Sequence, residues 1–282
     1  MKLVRFGDVG EEKPGLIDAD HVLRDLSGEI DDIGGAILSR AGLDRIRALD
    51  PKSLPKADPA RRLGPCVGSV GNFIAVGLNY ADHAAETGAA IPSEPVLFSK
   101  ATSSIVGAHD DVIIPPGSTK LDWEVELAIV IGEVAYNVAE AEALDYVAGF
   151  CLCNDISERG WQKERGGQWI KGKSAPTFGP LGPWLVTTDE IEDVQAIDLW
   201  LDVSGTRMQT GSTATMIFPV RKLVAYISQF IALQPGDVIT TGTPAGVAAG
   251  MSTPRWLQPG DIIALGGSHL GEQRLPVKAY AG

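Results

Sequence analysis

The stretch that most restricts how this chain can fold is DWEVELAIVIG, residues 122–132. From Leu127 to Ile131 every residue is apolar. Alternate side chains of a strand point to opposite faces, so this half must be covered on both sides and belongs inside a sheet. The first half alternates instead. Asp122, Glu124 and Glu126 are acidic, while Trp123, Val125 and Leu127 are apolar. An extended backbone sets those carboxylates on one face, roughly 7 Å apart at two residues' rise. Two readings stand open. The acidic face belongs to a solvated strand edge, or a hard cation holds the carboxylates, since like charges repel unless a cation lies between them.

Four other stretches carry residue types suited to chemistry. In CLCNDISERG (151–160), Asp155 follows the apolar run from Val147 to Leu152 and offers a third oxygen ligand, though aspartate there also makes turns. No histidine or cysteine joins these carboxylates in a ligand spacing, so the all-oxygen set points to Mg²⁺, Mn²⁺ or Ca²⁺ rather than zinc. In GLNYADHAAETG (77–88), Asn79 suits a helix cap and Gly88 a helix end. His83 and Glu86 then share a helix face, as a surface ion pair or as a general base oriented by a carboxylate. In QWIKGKSAPTFGPLGPW (168–184), glycine and proline predict a loop carrying Lys171 and Lys173. A lysine there is a solvated charge, or it stabilises an oxyanion beside a metal. TTGTPAGV (240–247) follows a strand, and its small residues either turn the chain or offer N–H and hydroxyl groups to a carboxylate. Gln162 and Gln168 are candidate hydroxyl-binding amides, or face solvent.

The chain has 282 residues with 24 basic and 36 acidic side chains, a formal charge of −12. That balance argues against nucleic acid or an anionic membrane as partner. No apolar run approaches the ~20 residues of a membrane span, and the start, MKLVRFGDVGEEKPG, lacks a signal-peptide pattern. Cys66, Cys151 and Cys153 are odd in number and read as buried free thiols, which suits a reducing cytoplasm. Thirty-three glycines and 18 prolines, spread along the chain, predict many turns between short strands. Hairpins are expected over residues 1–30 and about Ser204-Gly205, and helices over 35–49, 139–148 and 219–233. The proline-rich segment 50–65 reads as a linker, giving a small N-terminal domain (1–65) and a catalytic domain (66–282). The class is α+β with β dominant.

Seven pieces in order give a stronger signal than any one alone: NYADHAAE, EPVLFSKATSSIVG, DWEVELAIVIG, NDISER, GKSAPTFGPLGPWLVT, GTRMQTGSTATMIF and TTGTPAGV. Together they resemble the fumarylacetoacetate hydrolase superfamily from about residue 70 to the C-terminus. The resemblance implies a mixed β-sandwich roll, usually dimeric, with a variable small N-terminal domain. It implies that Glu124, Glu126 and Asp155 bind Mg²⁺ or Mn²⁺. It assigns His83 and Glu86 to a catalytic pair on a lid, Lys173 to the catalytic lysine, and Thr243 to the substrate loop. Gln162 and Gln168 are added as substrate contacts. One departure is Ala175-Pro176 after Lys173-Ser174, where members often carry C-D or F-D. The implied activity is metal-dependent hydrolysis of a carbon–carbon bond in a 2,4-dioxo acid, giving a 2-oxo acid and a carboxylic acid. Among bacterial members the chain resembles 2,4-diketo-3-deoxy-L-rhamnonate hydrolase and ureidoglycolate lyase-like proteins. Decarboxylase and isomerase reactions use the same kind of site, and a catalytically silent metal-binding scaffold is the alternative from another class.

Overall fold

The computed structural model describes residues 1–281. Strands β1 (Lys2–Phe6), β2 (Lys13–Ile17) and β3 (Leu23–Asp25) form the expected opening hairpins, followed by helix α1 (Arg40–Arg47). Then come β4 (Phe73–Gly77), α2 (Ala81–Glu86), β5 (Val96–Lys100), β6 (Ile105–Val106), β7 (Val112–Ile114), β8 (Leu121–Asp122) and β9 (Val125–Ile131). The middle of the chain holds β10 (Val147–Asn154), β11 (Ser157–Glu158), α3 (Arg159–Lys163), α4 (Ile170–Lys173) and β12 (Gly179–Thr187). Strands β13 (Asp198–Val203) and β14 (Thr206–Ser212), helix α5 (Val220–Ser228), and strands β15 (Val238–Thr240), β16 (Ile262–Gly267) and β17 (Gly271–Ala279) complete it.

A mixed ten-stranded sheet runs β3-β2-β1-β12-β10-β9-β15-β4-β5, with β6 paired to β12. A five-stranded sheet runs β14-β13-β16-β17-β7. The α+β, β-dominant reading therefore holds. β9 lies at the middle of the large sheet, between β10 and β15. Its two faces feed two cores, as the unbroken apolar run requires. Leu127, Ile129 and Ile131 pack with Leu199, Leu201 and Leu265 of the smaller sheet and with Leu223 and Ile227 of α5. Ala128 and Val130 pack on the other side with Leu3, Leu16, Leu38 and Ile46. The first 65 residues thus share a core with the large sheet, and β1 pairs antiparallel with β12. All three cysteines are buried and free.

Several local expectations change. Residues 140–146 form a 3₁₀ rather than an α-helix, entered through an extended Ala139 with no side-chain cap. α5 ends at Ser228, because Phe230 and Ile231 both return N–H bonds to Ile227 O and close the last turn. The expected loop around Lys171 and Lys173 is the short helix α4. It abuts α3 so closely that a Cβ at Gly172 would lie 2.5 Å from Gln162 N and Glu158 O. Only glycine lets those two helices touch.

Burial on both faces makes β9 sensitive to truncation of its side chains. Ile129→Ala should cost about 2–5 kcal/mol, read as a lower urea midpoint with little change in slope. A loss under ~0.5 kcal/mol would mean that the side chain is not packed as described.

Candidate active site

The ends of β4, β10 and β15 and the start of β9 meet at one cavity. Its lining includes His83, Glu124, Glu126, Asp155, Arg159, Gln162, Lys173 and Thr243. Alternation breaks at Trp123-Glu124, where the chain leaves β8 and enters β9. Glu124 N lies outside the strand ladder there and donates instead to Asn154 Oδ1 at 3.1 Å. Asp155 N donates to Glu124 O at 2.9 Å, which clamps the end of β10 to the start of β9. This clamp brings three buried carboxylates together: one oxygen from each of Glu124, Glu126 and Asp155 lies within 4.8 Å of the others.

These acids are not solvated, so the strand-edge reading fails: Glu124 is 5% exposed, Glu126 2% and Asp155 1%. Cations stand against them instead. Lys173 Nζ donates to Glu124 Oε2 (2.7 Å) and Asp155 Oδ2 (2.6 Å). Lys100 Nζ donates to Asp155 Oδ1 (2.5 Å) and to the carbonyl of Lys173. Arg159 donates from Nη2 to Glu124 Oε1 (2.6 Å), from Nε to Asp122 Oδ2 (2.8 Å) and from Nη1 to Gln162 Oε1 (3.1 Å). Asp122, which the strand-edge reading would leave facing water, is 0% exposed. It also accepts from Trp123 N, Ala248 N and Ala249 N. It is an anchor for Arg159 and for the 248–249 backbone.

The balance of charge is uneven. Burial alone would raise Glu124, but the Arg159 and Lys173 charges overcome it and hold its carboxyl well below the usual range. Glu126 goes the other way. Burial, then the Asp155 and Glu124 charges, push its carboxyl well above the usual range, despite donation from Gly242 N (2.8 Å) and Thr240 Oγ1. Lys173 is pushed up because the Asp155 and Glu124 charges outweigh its burial. A carboxyl that resists ionisation beside two carboxylates marks a donor set short of positive charge. Three oxygen donors of this kind fit a hard divalent cation.

His83 lies on α2, is buried, and points its Nδ1 at Glu86 Oε2, 3.4 Å away. Glu86 is itself fixed: Gly246 N donates to its Oε1 (3.0 Å) and Oε2 (3.1 Å). With Nδ1 turned to Glu86, Nε2 is the ring atom left for the cavity. Asn79 does not cap α2. Its Nδ2 donates to Phe218 O and Thr241 O, and its Oδ1 accepts from Phe218 N, tying α2's entry to the β15 loop. Leu78 beside it lines the cavity with a left-handed φ of 52°. The Thr243 hydroxyl donates to Val125 O and accepts from Gln209 Nε2, so its proton is engaged within the protein. Gln162 is buried at the cavity, whereas Gln168 is exposed and lies outside its lining.

Lys100, Arg159 and Gln209 were not singled out from sequence. Each acts through a partner far along the chain, such as Asp155, 55 residues from Lys100. A lysine closing the apolar strand VLFSK was the one local signal.

Residues 72–278 match the family model described as "Fumarylacetoacetate (FAA) hydrolase C-terminal". A protein from Burkholderia multivorans, whose name goes no further than hydrolase, is 59% identical over 274 residues, 97% of each chain. The solved fumarylacetoacetate hydrolase of Exiguobacterium antarcticum is similar with a TM-score of 0.86 and 34% identity, covering 99% of this chain and 100% of that one. The 2-hydroxyhepta-2,4-diene-1,7-dioate isomerase of Mycobacterium marinum superposes with a TM-score of 0.76 at 28% identity, over 100% of both chains. The chain belongs to the fumarylacetoacetate hydrolase family.

Proposed function

We propose that the protein is a divalent-metal-dependent hydrolase that cleaves a carbon–carbon bond in a 2,4-dioxo acid. The observation that carries this reading is that the Glu124–Glu126–Asp155 carboxylates and His83, whose Nδ1 is turned to Glu86, line one cavity. Glu124, Glu126 and Asp155 would hold Mg²⁺ or Mn²⁺. When bound, the ion supplies Lewis-acid polarisation for the 2-oxo acid end of the substrate.

The chain's own residues do the rest. His83 Nε2 takes a proton from water, and Glu86 stabilises the resulting imidazolium and fixes the ring. The hydroxide oxygen adds to the carbonyl carbon at position 4. Lys173 stabilises charge on that carbonyl oxygen. The bond between carbons 3 and 4 then breaks, releasing a carboxylic acid, and the electron pair passes to the three-carbon fragment. A proton from His83 at carbon 3 yields pyruvate or a similar 2-oxo acid. Water is the only co-reactant. The short distances from Lys173 to Glu124 and Asp155 support its place beside the ligands. We extend the reading to a homodimer in the cytoplasm, which sedimentation and fractionation test.

The deciding experiment is a panel of acylpyruvates with Mg²⁺ or Mn²⁺. Loss of enol absorbance should match pyruvate and carboxylate release one to one. Absorbance loss without cleavage products would favour an isomerase, and metal binding without turnover of any 2-oxo acid a silent scaffold. His83→Ala should lower kcat by about 10²–10⁴-fold, with metal affinity in calorimetry within threefold of the native value. If metal affinity falls instead, His83 is a ligand and not the base. Glu126→Gln should abolish metal-dependent turnover while the far-UV circular dichroism stays native. Near-native activity of this variant at limiting Mg²⁺ would remove Glu126 from the ligand set.

A further inference from the structure

Asp122 lies outside the cavity lining, yet it is bonded toward both halves of the site. Four donors converge on its carboxylate. Trp123 N (2.9 Å) and Ala248 N (2.8 Å) donate to Oδ1. Ala249 N (3.0 Å) and Arg159 Nε (2.8 Å) donate to Oδ2. On one side the path is short: Arg159 Nη2 continues to Glu124 Oε1 at 2.6 Å. On the other side, Ala248 and Ala249 belong to the segment that holds Glu86. Gly246 N donates to both Glu86 oxygens, at 3.0 and 3.1 Å. A Cβ at Gly250 would stand 2.3 Å from Glu86 Cδ, so the carboxylate is packed against this segment as well as bonded to it. Trp123 adds a further tie, donating from Nε1 to Gly246 O at 3.1 Å. Gly246 itself has a φ of 108°, which glycine adopts freely, and a Cβ there would stand 2.0 Å from Met208 O. The segment therefore has little room to shift while its bonds to Asp122 and Trp123 hold. Val247 and Ala249 also line the cavity, so its wall is fixed by the same bonds.

We propose that Asp122 is a positioning residue that sets Glu124 and Glu86 relative to one another, through Arg159 on one side and the 246–250 segment on the other. The inference rests on the reading above in which Glu124 is a metal ligand and Glu86 orients His83. Only an ionised carboxylate fits the position. Both oxygens accept, and an asparagine would turn its amide N–H₂ toward N–H donors on one side or the other. With that amide toward Arg159 it would release Arg159 Nε and Ala249 N. With the amide toward Ala248 it would release Ala248 N and Trp123 N. Either way one segment N–H is lost, and the hold on Arg159 weakens with the missing charge. Arg159 would then turn its charge on Glu124 and compete there with a bound cation.

The test uses full-length native protein, Asp122→Asn and Arg159→Lys. Asp122→Asn should weaken Mn²⁺ binding in calorimetry about 10–100-fold. In metal-free protein, the amide of Gly246 bonds Glu86 and does not touch Asp122. Its hydrogen-exchange protection should fall about tenfold in Asp122→Asn, while the Ile129 amide in the middle of β9 keeps the native rate. Arg159→Lys keeps a cation beside Glu124 but gives up the guanidinium bond to Asp122. It should also loosen the Gly246 amide, about threefold, and it carries the test if Asp122→Asn does not fold. With saturating Mn²⁺ and an acylpyruvate, Asp122→Asn should lower kcat about 10–10²-fold with KM within about threefold of native, since the base is misplaced and the substrate contacts remain. Failure of the native protein to cleave any acylpyruvate would sink the hydrolase reading, and calorimetry and exchange would still decide the role of Asp122. A native Gly246 exchange rate in both variants, or an Mn²⁺ affinity of Asp122→Asn within about threefold of native, would overturn it.

Discussion

Everything at the cavity depends on a cluster of charges taken out of water. Asp122, Glu124, Glu126 and Asp155 face Lys100, Arg159 and Lys173, and all seven are buried. A buried charge is costly unless it is paired and hydrogen-bonded, and removing one member leaves the others uncompensated. This cluster meets the requirement almost completely. Arg159 joins Asp122 to Glu124, Lys173 joins Glu124 to Asp155, and Lys100 holds the outer oxygen of Asp155. Glu126 is the exception, pushed toward its neutral form by burial and two neighbouring carboxylates. The surplus of negative charge falls where the three carboxylates converge, a place that suits a divalent cation.

The sheet supplies the rigidity that such a cluster needs. β9 is flanked by β10 and β15 and packed on both faces, so Glu126 leaves a backbone with little freedom. Register sets Glu126 opposite Cys153, two residues before Asp155, and Val125 opposite Asn154. The His83–Glu86 pair is carried differently. It lies on a six-residue helix whose carboxylate is held by Gly246 N, a loop contact rather than a sheet contact. The cavity thus joins a stiff ligand wall to a base on a lighter element. That division suits chemistry in which the electrophile must stay fixed while substrate enters past the base.

Much of this was legible in the sequence, for identifiable reasons. The change from alternation to an unbroken apolar run placed β9 in the interior, because strand periodicity depends only on local spacing. The hairpins at residues 1–30 and about Ser204-Gly205 followed from turn chemistry in the same way. Spacing alone could not bring Asp155 to Glu124, and family resemblance did that work. The anchoring role of Asp122 was not legible because its partners, Arg159 and the 248–249 backbone, are remote in sequence. Lys173 was expected in a loop because glycine and proline surround it. The fit of Gly172 against α3 makes that segment helical and buries the lysine. Gln168 and Gln162 looked equivalent, yet only Gln162 sits on the inner face of a helix.

The most direct measurement is anomalous diffraction from crystals grown with Mn²⁺. A single strong peak bounded by oxygens of Glu124, Glu126 and Asp155 is expected, with Lys173 moved off at least one of its two carboxylates. A Lys173 still bridging Glu124 and Asp155, with no peak between the three acids at saturating Mn²⁺, would contradict a metal site at these carboxylates.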